Sequence, residues 1–427
     1  MQLFRKSLYF FLFISFLCSM NIWFAWNKAG RYVSFALAIL IVACVIFGRI
    51  RLELTFRNLV SFLLLAIAYL MYNFTYNSIK SLLILATTLM TFWVIISLNV
   101  KDKYDCLNFI TTAFVVLMIP SLVLWLVNWF VPLPSFGTVR IDNTYQHYRP
   151  YTNHLIFVKS SMLSYGYRFN GPFLEPGHLG MMSAFLLYAN KYNFKDKRLI
   201  GIIVVLLFSL SLAGYVLAAI GYCFNKFVTD KRFILRVAGV IIVIIPIYFF
   251  SLTYNGGHNF LNERIIERLQ YDEDKGFSGN NRVFGQIEDY YRFLLKSGKH
   301  FWTGYDKKTM KWLAESQESR GTGYVMFVVT NGFLGLIITS LFYIYYAASS
   351  KCKKYALLYF IYVCFVFWQR CYPFWTSWLI CYVWGISIYD ALNYKPKHRE
   401  EREGESLYDL PAPPAPDRES ELAHALP

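Results

Sequence analysis

Charged side chains are scarce in this sequence. Asp, Glu, Lys and Arg together make up 16% of its 427 residues, whereas 56% are hydrophobic. A soluble domain of this length needs a larger polar fraction to cover its surface. The composition therefore excludes an ordinary soluble protein and indicates a chain solvated by lipid. Apolar runs of about 17 to 25 residues, the length that crosses a bilayer core, recur from Ser7 almost to Asp390.

Motifs for nucleotide and metal chemistry are missing as well. The chain has no GxxxxGK[ST] loop, no Rossmann glycine pattern, no HExxH and no GxSxG element, which makes nucleotide-driven chemistry a poor expectation. The eight cysteines contain no CxxC pair, so neither a disulfide scaffold nor a metal cluster is indicated. We expect no cofactor and a metal-independent mechanism, in which arginines take the place of a cation.

The apolar runs predict an all-α polytopic membrane protein with about twelve spans. The first run follows Arg5 and Lys6 but is long and lacks a small-residue cleavage site, so we expect a retained helix and not a signal peptide. With the N-terminus in the cytoplasm, the clusters of Lys and Arg all fall on inside connections, which places both termini in the cytoplasm. The predicted spans are 7–26, 32–48, 58–74, 80–98, 107–131, 177–190, 199–212, 213–227, 233–252, 323–346, 355–369 and 372–390.

Two long segments, 132–176 and 253–322, remain on the outside in this topology. The first holds four Lys and Arg against two Asp and Glu, and the second eleven against ten. The formal net charge of +16 therefore belongs mostly to the cytoplasmic connections, and it gives no reason to expect a nucleic-acid partner. One membrane domain covers 1–395. The proline-rich remainder, 396–427, predicts a disordered cytoplasmic tail that is either native or appended.

The densest polar motif is Tyr167–Gly180, which reads YRFNGPFLEPGHLG. Its prolines and glycines predict a bent, closely packed backbone where the first outer loop returns to the membrane and a helix begins near Pro176. Arg168 and Glu175 are the candidate functional residues, because ionisable groups at membrane depth are usually functional. The alternative is an interfacial ion pair between these two residues. For His178, burial in helix packing is the favoured interpretation.

The second outer loop supplies two further candidate cations. Arg282 follows a turn-forming segment and is predicted to open an amphipathic helix, whose N-terminus would favour an anion such as a pyrophosphate. Arg320 stands among glycines where the loop returns to the membrane. The ordinary alternatives are a solvated ion pair for Arg282 and contact with lipid headgroups for Arg320. Residues 261–269 predict an amphipathic helix that lies flat on the membrane.

The chain resembles the O-antigen polymerase (Wzy-type) family, within the broader group of O-antigen ligase and polymerase membrane proteins. The resemblance covers about 1–395 and rests on the number of spans, the paired outer loops and three motifs. These motifs are RFNGPFLEPGHLG from Arg168 to Gly180, SGNNR ending at Arg282, and FWTGYD from Phe301 to Asp306. Ligases of this group carry a functional histidine before the helix that follows the second loop, where this chain reads ESRGT from Glu318 to Thr322. That difference favours a polymerase.

The resemblance implies a GT-C-like glycosyltransferase of the bacterial inner membrane with a periplasmic active site. Its donor and acceptor would both be undecaprenyl-diphosphate oligosaccharides, and a polysaccharide chain-length regulator would be its partner. Arg168 and Arg282 match the arginines on which family polymerases depend. As a hypothesis, these two residues and Arg320 stabilise the departing pyrophosphate, while Glu175 acts as the base or orients Arg168. An O-antigen ligase and a lipid-linked oligosaccharide flippase are the rival functions.

Overall fold

A computed structural model shows a mostly helical chain. It describes residues 1–73, 79–140, 150–160, 167–230, 232–259, 286–305 and 323–394, together with the short pieces 262, 266, 271–272, 276–277, 283–284 and 320–321. The predicted tail at 396–427 and most of the predicted amphipathic segment at 261–269 lie outside these residues.

The helices follow the predicted apolar runs closely. Every predicted run overlaps a helix, although the helices over 7–26 and 107–131 begin several residues earlier than predicted. One π turn, Ile380–Trp384, interrupts the helical stretch over 372–390. The helices are α1 (Gln2–Ser19), α2 (Asn27–Phe47), α3 (Phe56–Asn73), α4 (Ile79–Ser97), α5 (Val100–Val127), α6 (Pro176–Ala189), α7 (Lys197–Phe208), α8 (Leu212–Thr229), α9 (Phe233–Thr253), α10 (Gln286–Lys296), α11 (Gly298–Thr303), α12 (Tyr324–Ala348), α13 (Lys353–Gln369), α14 (Thr376–Leu379) and α15 (Gly385–Asn393).

Four helices in the described part of the chain are long and apolar enough to cross a membrane. They span Ala29–Phe47, Val100–Val127, Leu212–Thr229 and Tyr324–Ala348, and shorter apolar helices cover Phe56–Met71 and Ser81–Ser97. These helices identify the chain as a membrane protein by length and composition.

Helix α6 lies at the centre of the fold, and all 14 of its residues are buried. It packs closely on α8, because a Cβ built at Gly180 would lie 2.5 Å from the Ser211 Cβ and one built at Gly214 would lie 2.8 Å from the Gly180 carbonyl carbon. Paired glycines allow two helix backbones to approach in this way. The chain breaks between α7 and α8 at Ser209–Ser211, close to the predicted boundary between the spans 199–212 and 213–227, with Leu210 at a φ of 46°.

Short antiparallel strands occur in the two segments that the sequence predicts as outer loops. In the first loop β1 (Thr138–Arg140), β2 (Pro150–Asn153) and β3 (Val158–Ser160) form one sheet in that order. In the second loop β4 (Tyr271–Asp272) pairs with β5 (Gly276–Phe277), and β6 (Val283–Phe284) pairs with β7 (Arg320–Gly321). The prediction that Arg282 opens a helix is wrong, because the residues after it form β6 and α10 begins only at Gln286.

The FWTGYD motif of the second loop is seated against a break in α12. Gly332 interrupts this helix with a φ of 66°, and a Cβ at Gly304 would lie 2.6 Å from the Gly332 nitrogen. The Tyr305 N–H donates to the Val329 carbonyl at 2.9 Å, which joins the motif to the helix. The motif therefore has a structural role, because it fastens the end of the second loop to the membrane domain.

Substitution of Gly332 by alanine is expected to destabilise the protein by about 2 kcal/mol or more, since a non-glycine residue is strained at positive φ. Its Cβ would also overlap the Trp302 carbonyl oxygen. Thermal unfolding of the purified protein in detergent measures the effect. The matched control is Gly239→Ala in α9, where a Cβ meets no atom within 4 Å. Equal melting temperatures for the two variants would contradict this account of the helix break.

A buried ion pair between Arg57 of α3 and Asp390 of α15 links these two helices. The Asp390 carboxylate accepts from Arg57 Nη1 at 3.3 Å, from the Ser350 hydroxyl at 2.6 Å and from the Cys352 N–H at 2.9 Å. This cluster lies at the start of α13, whose 17 residues extend for about 25 Å at 1.5 Å per residue. The opposite end of α13 leads into Arg370.

Candidate functional site

The segment Arg168–Glu175 is fixed by backbone hydrogen bonds to two other parts of the chain. The Phe169 N–H donates to the Phe208 carbonyl at 3.0 Å, where α7 ends, and the Leu174 N–H donates to the Asn21 carbonyl at 3.1 Å. The segment then enters α6, with Pro176 as the first helical residue. Proline suits this position because the first turn of a helix does not need its N–H. The predicted bent backbone and the predicted start of a helix at Pro176 are both present.

Glu175 holds the N-cap position of α6, but its side chain does not cap the helix. Instead the carboxylate accepts a hydrogen bond from Nη2 of Arg370, which follows α13. The Glu175 side chain is 23% exposed and the Arg370 side chain 9%. The alternative of an ion pair between Glu175 and Arg168 is therefore wrong in its partner, since the ion pair that Glu175 makes is with Arg370.

His178, in the first turn of α6, forms a hydrogen bond with the same guanidinium. Its Nε2 is 2.7 Å from Arg370 Nη1. Because a guanidinium only donates, Nε2 must accept, and the ring carries its proton on Nδ1. The ring also packs edge-on against Trp375 at 5.2 Å between centroids. The prediction that His178 is buried in packing is confirmed, with a bond to a charged group in addition.

Arg370 is a buried cation in the turn between α13 and α14, and it is 8% exposed. Burial lowers its pKa, but the neighbouring Glu175 carboxylate and Tyr372 raise it, and the net pKa lies above its ordinary value. Its Nε is buried and has no hydrogen-bond partner among the described residues. The charge is therefore retained in a site that is poorly hydrated and holds an unused donor.

Arg168 is anchored to a residue that packs on α6. It is half-buried, and its Nε donates to the Ser209 carbonyl at 3.2 Å. The Ser209 hydroxyl lies 3.0 Å from a Cβ built at Gly180, and Arg370 Nη2 lies 2.9 Å from one built at Gly177. Gly177 and Gly180 are about 4.5 Å apart along the helix axis. The Ser209 anchor of Arg168 and the guanidinium of Arg370 thus lie about one turn apart along α6.

The return of the second loop reaches the same region through its backbone. A Cβ built at Gly323 would lie 2.6 Å from the carbonyl oxygen of Trp368, two residues before Arg370, and the Tyr324 and Trp368 rings are 5.1 Å apart. Strand β7, which contains Arg320, precedes this contact by a few residues. Arg282 lies outside the described residues, but β6, which pairs with β7, starts at the next position.

The sequence did not single out Arg370 as functional. It stands in a short turn between two apolar runs, where an arginine ordinarily points to lipid headgroups. Its partner Glu175 is 195 residues earlier in the chain. The sequence feature that could have pointed to Arg370 is the rarity of charged residues between apolar runs. An arginine buried at such a position requires a partner.

One sequence feature weakens the expectation of a metal-free mechanism. Asp272 and Asp274 have the Asp-x-Asp spacing with which carboxylates hold a divalent cation against a diphosphate. Asp272 belongs to β4, and Asp274 lies outside the described residues. Among the residues that the structure describes, no group of three or more His, Cys, Asp or Glu side chains is placed to hold a metal ion.

Comparison with known proteins adds no assignment. No family model matches the chain, and no curated protein matches it at a significant level.

Proposed function

We propose that this chain polymerises undecaprenyl-diphosphate-linked oligosaccharide repeat units into O-antigen or a related surface polysaccharide. The observation that carries the proposal is the ion pair of Glu175 and Arg370 at the first turn of α6, with Arg168 anchored beside the same helix through the Ser209 carbonyl. This turn follows the first outer loop, and the return of the second loop contacts the residues before Arg370. Arginines, a carboxylate and a helix N-terminus in one place suit transfer of a group from a diphosphate.

The charge at the site matches the chemistry that the proposal requires. A departing lipid diphosphate develops negative charge, and fixed cations in a poorly hydrated site stabilise such charge more than water does. Arg168 and Arg282 are proposed to hold the diphosphate together with Arg320. Their side chains come from both outer loops, so the complete site depends on the two loops acting together.

The reaction is proposed to be a single displacement. The acceptor hydroxyl oxygen attacks the anomeric carbon of the donor, a new C–O bond forms, and the bond from that carbon to the diphosphate oxygen breaks. The electron pair leaves with the lipid diphosphate, and the hydroxyl proton passes to the Glu175 carboxylate. The partial exposure of Glu175 permits contact with an acceptor sugar.

An apolar cavity of about 320 Å³ supports a substrate with a hydrocarbon chain. It is lined by side chains of α1 and α5 and by Pro172, which lies three residues before Glu175. A polyprenyl chain in this cavity would bury apolar surface while its diphosphate remained near the arginines. The lining residues are Phe13, Ile14, Leu17, Ile22, Trp23, Phe24, Leu117, Leu155, Ile156 and Pro172.

The proposal includes a membrane arrangement and a set of partners. The chain would cross the bacterial inner membrane about twelve times with a GT-C-like arrangement. Both termini would be cytoplasmic and the site periplasmic. Its partners would be lipid-linked oligosaccharides, membrane lipids and a chain-length regulator, and it would need no metal or cofactor.

Incubation of the purified protein with lipid-linked repeat units tests this function. A ladder of longer lipid-linked products supports a polymerase. Transfer of the oligosaccharide to lipid A core would instead identify a ligase. If the substrate crosses the membrane of a proteoliposome without covalent change, the protein is a flippase and the proposal is wrong.

A further inference from the structure

We propose that Arg370 is an anion-binding residue for the substrate diphosphate, and that Glu175 occupies its place until the diphosphate displaces it. This inference rests on the proposed function for the identity of the anion. The exchange would free the Glu175 carboxylate at the moment when the donor is bound. Binding of the donor would then prepare the base that the acceptor needs.

The geometry of the ion pair supports an exchange. Arg370 is more buried than Glu175, with side chains 9% and 23% exposed. The carboxylate therefore lies toward the solvent and covers the guanidinium. An anion that arrives from outside must take the position of the carboxylate to reach Arg370. Glu175 holds the N-terminus of α6, which favours negative charge, whether on the Glu175 carboxylate or on a bound diphosphate.

The remaining donor capacity of Arg370 indicates a ligand larger than one carboxylate. A guanidinium has five N–H donors in a fixed fork. Nη2 bonds Glu175, Nη1 bonds His178 and the Tyr372 side chain also interacts with the guanidinium, whereas Nε is buried with no partner among the described residues. A diphosphate presents more oxygen acceptors than a carboxylate and can bond Nε and Nη2 together. The hydrogen bond from Nη1 to His178 would keep the guanidinium in position during the exchange.

Gly177 provides the room that this arrangement needs. A Cβ at this position would lie 2.9 Å from Arg370 Nη2, closer than carbon and nitrogen atoms normally approach. The absence of a side chain at Gly177 thus lets the guanidinium lie against the first turn of α6. The helix N-terminus and the arginine consequently act on the same anion.

The opposite end of α13 offers matched controls. Arg57 and Asp390 also form a partly buried ion pair, with side chains 23% and 8% exposed, about one length of α13 away from Arg370. Arg57→Gln and Asp390→Asn remove the same kinds of group as Arg370→Gln and Glu175→Gln. In this pair the carboxylate is the more buried partner, so Arg57→Gln leaves a more deeply buried unpaired charge than Arg370→Gln does.

The test is the affinity of purified full-length protein for inorganic pyrophosphate and for farnesyl diphosphate, measured by titration calorimetry in a chelator. Arg370→Gln is expected to weaken binding of both probes at least tenfold, and Arg370→Lys less. Glu175→Gln is expected to strengthen binding severalfold, because the competing carboxylate is gone. Arg57→Gln and Asp390→Asn are expected to bind as the wild type does. Tighter binding of farnesyl diphosphate than of pyrophosphate would identify the lipid-linked form as the ligand.

The inference is overturned if Glu175→Gln binds either probe no more tightly than the wild type, or if Arg370→Gln binds as tightly. Arg370→Lys, which keeps the charge, replaces Arg370→Gln if the latter does not fold. These affinities are measured without any transfer reaction. Failure of the polymerase assay with the expected affinities would therefore refute the proposed function and leave the anion site in place.

Discussion

Replacement of Arg370 by glutamine is expected to reduce polymer formation by about 100-fold or more, the usual cost of removing one fixed donor from developing negative charge. Arg370 is 8% exposed, and its guanidinium bonds both Glu175 and His178. Glutamine keeps a similar length but has neither the charge nor the fork of donors. Lysine in its place should restore part of the activity, because it keeps the charge and loses the bidentate geometry.

Loss of stability alone would also reduce activity, so the measurement needs a control variant that breaks a comparable ion pair elsewhere in the protein. Arg57→Gln leaves the buried Asp390 carboxylate without its arginine, and a broken buried pair typically costs about 3 to 5 kcal/mol. If this variant still makes polymer in amounts close to those of the wild type while Arg370→Gln does not, the defect lies at the site. Comparable polymer from both variants, at equal amounts in the membrane, would show that Arg370 has no part in the reaction.

Alanine in place of Arg168 or Arg282 is expected to abolish long polymer while the protein remains in the membrane. Each substitution removes one cation from the proposed diphosphate site; Arg168 belongs to the first loop and Arg282 to the second. With one cation fewer, the negative charge that develops on the departing diphosphate is less stabilised. The reduction should appear in kcat as well as in KM, because the charge is greatest in the transition state. A gel of the surface polysaccharide from cells that carry each variant shows the chain length.

The controls for these variants come from the same loops. Arg140 in β1 and Arg292 in α10 are exposed arginines, so their alanine variants change the loop charge equally. Near-normal chains are expected from both. Long chains from Arg168→Ala or from Arg282→Ala would refute the assignment of that residue.

Local sequence patterns predicted the helices well because the length of an apolar run is set by the bilayer and not by distant contacts. The break at Ser209–Ser211 and the start of α6 at Pro176 were also predictable, since small polar residues and proline act on their own backbone. The number of membrane crossings and the orientation stay predictions.

The site was predicted only in part, because its contacts join remote segments. Arg168 and Glu175 were identified from one dense motif, and the structure places Glu175 at the N-cap of α6 and anchors Arg168 on the Ser209 carbonyl. Arg370 was missed because nothing near it in the chain reveals a partner 195 residues away. The helix predicted from Arg282 failed for a related reason: Val283 and Phe284 fit a helical face, but they pair with Arg320 and Gly321 in the returning strand.

The stoichiometry of the purified reaction tests the central claim most directly. Protein in vesicles of defined lipid, with lipid-linked repeat units and a chelator, should release one free polyprenyl diphosphate for each new glycosidic linkage. Arg370→Gln should reduce both products together. Release of the diphosphate without a new linkage, or no covalent change with the wild type, would contradict the claim that this cluster of arginines and Glu175 joins lipid-linked sugars.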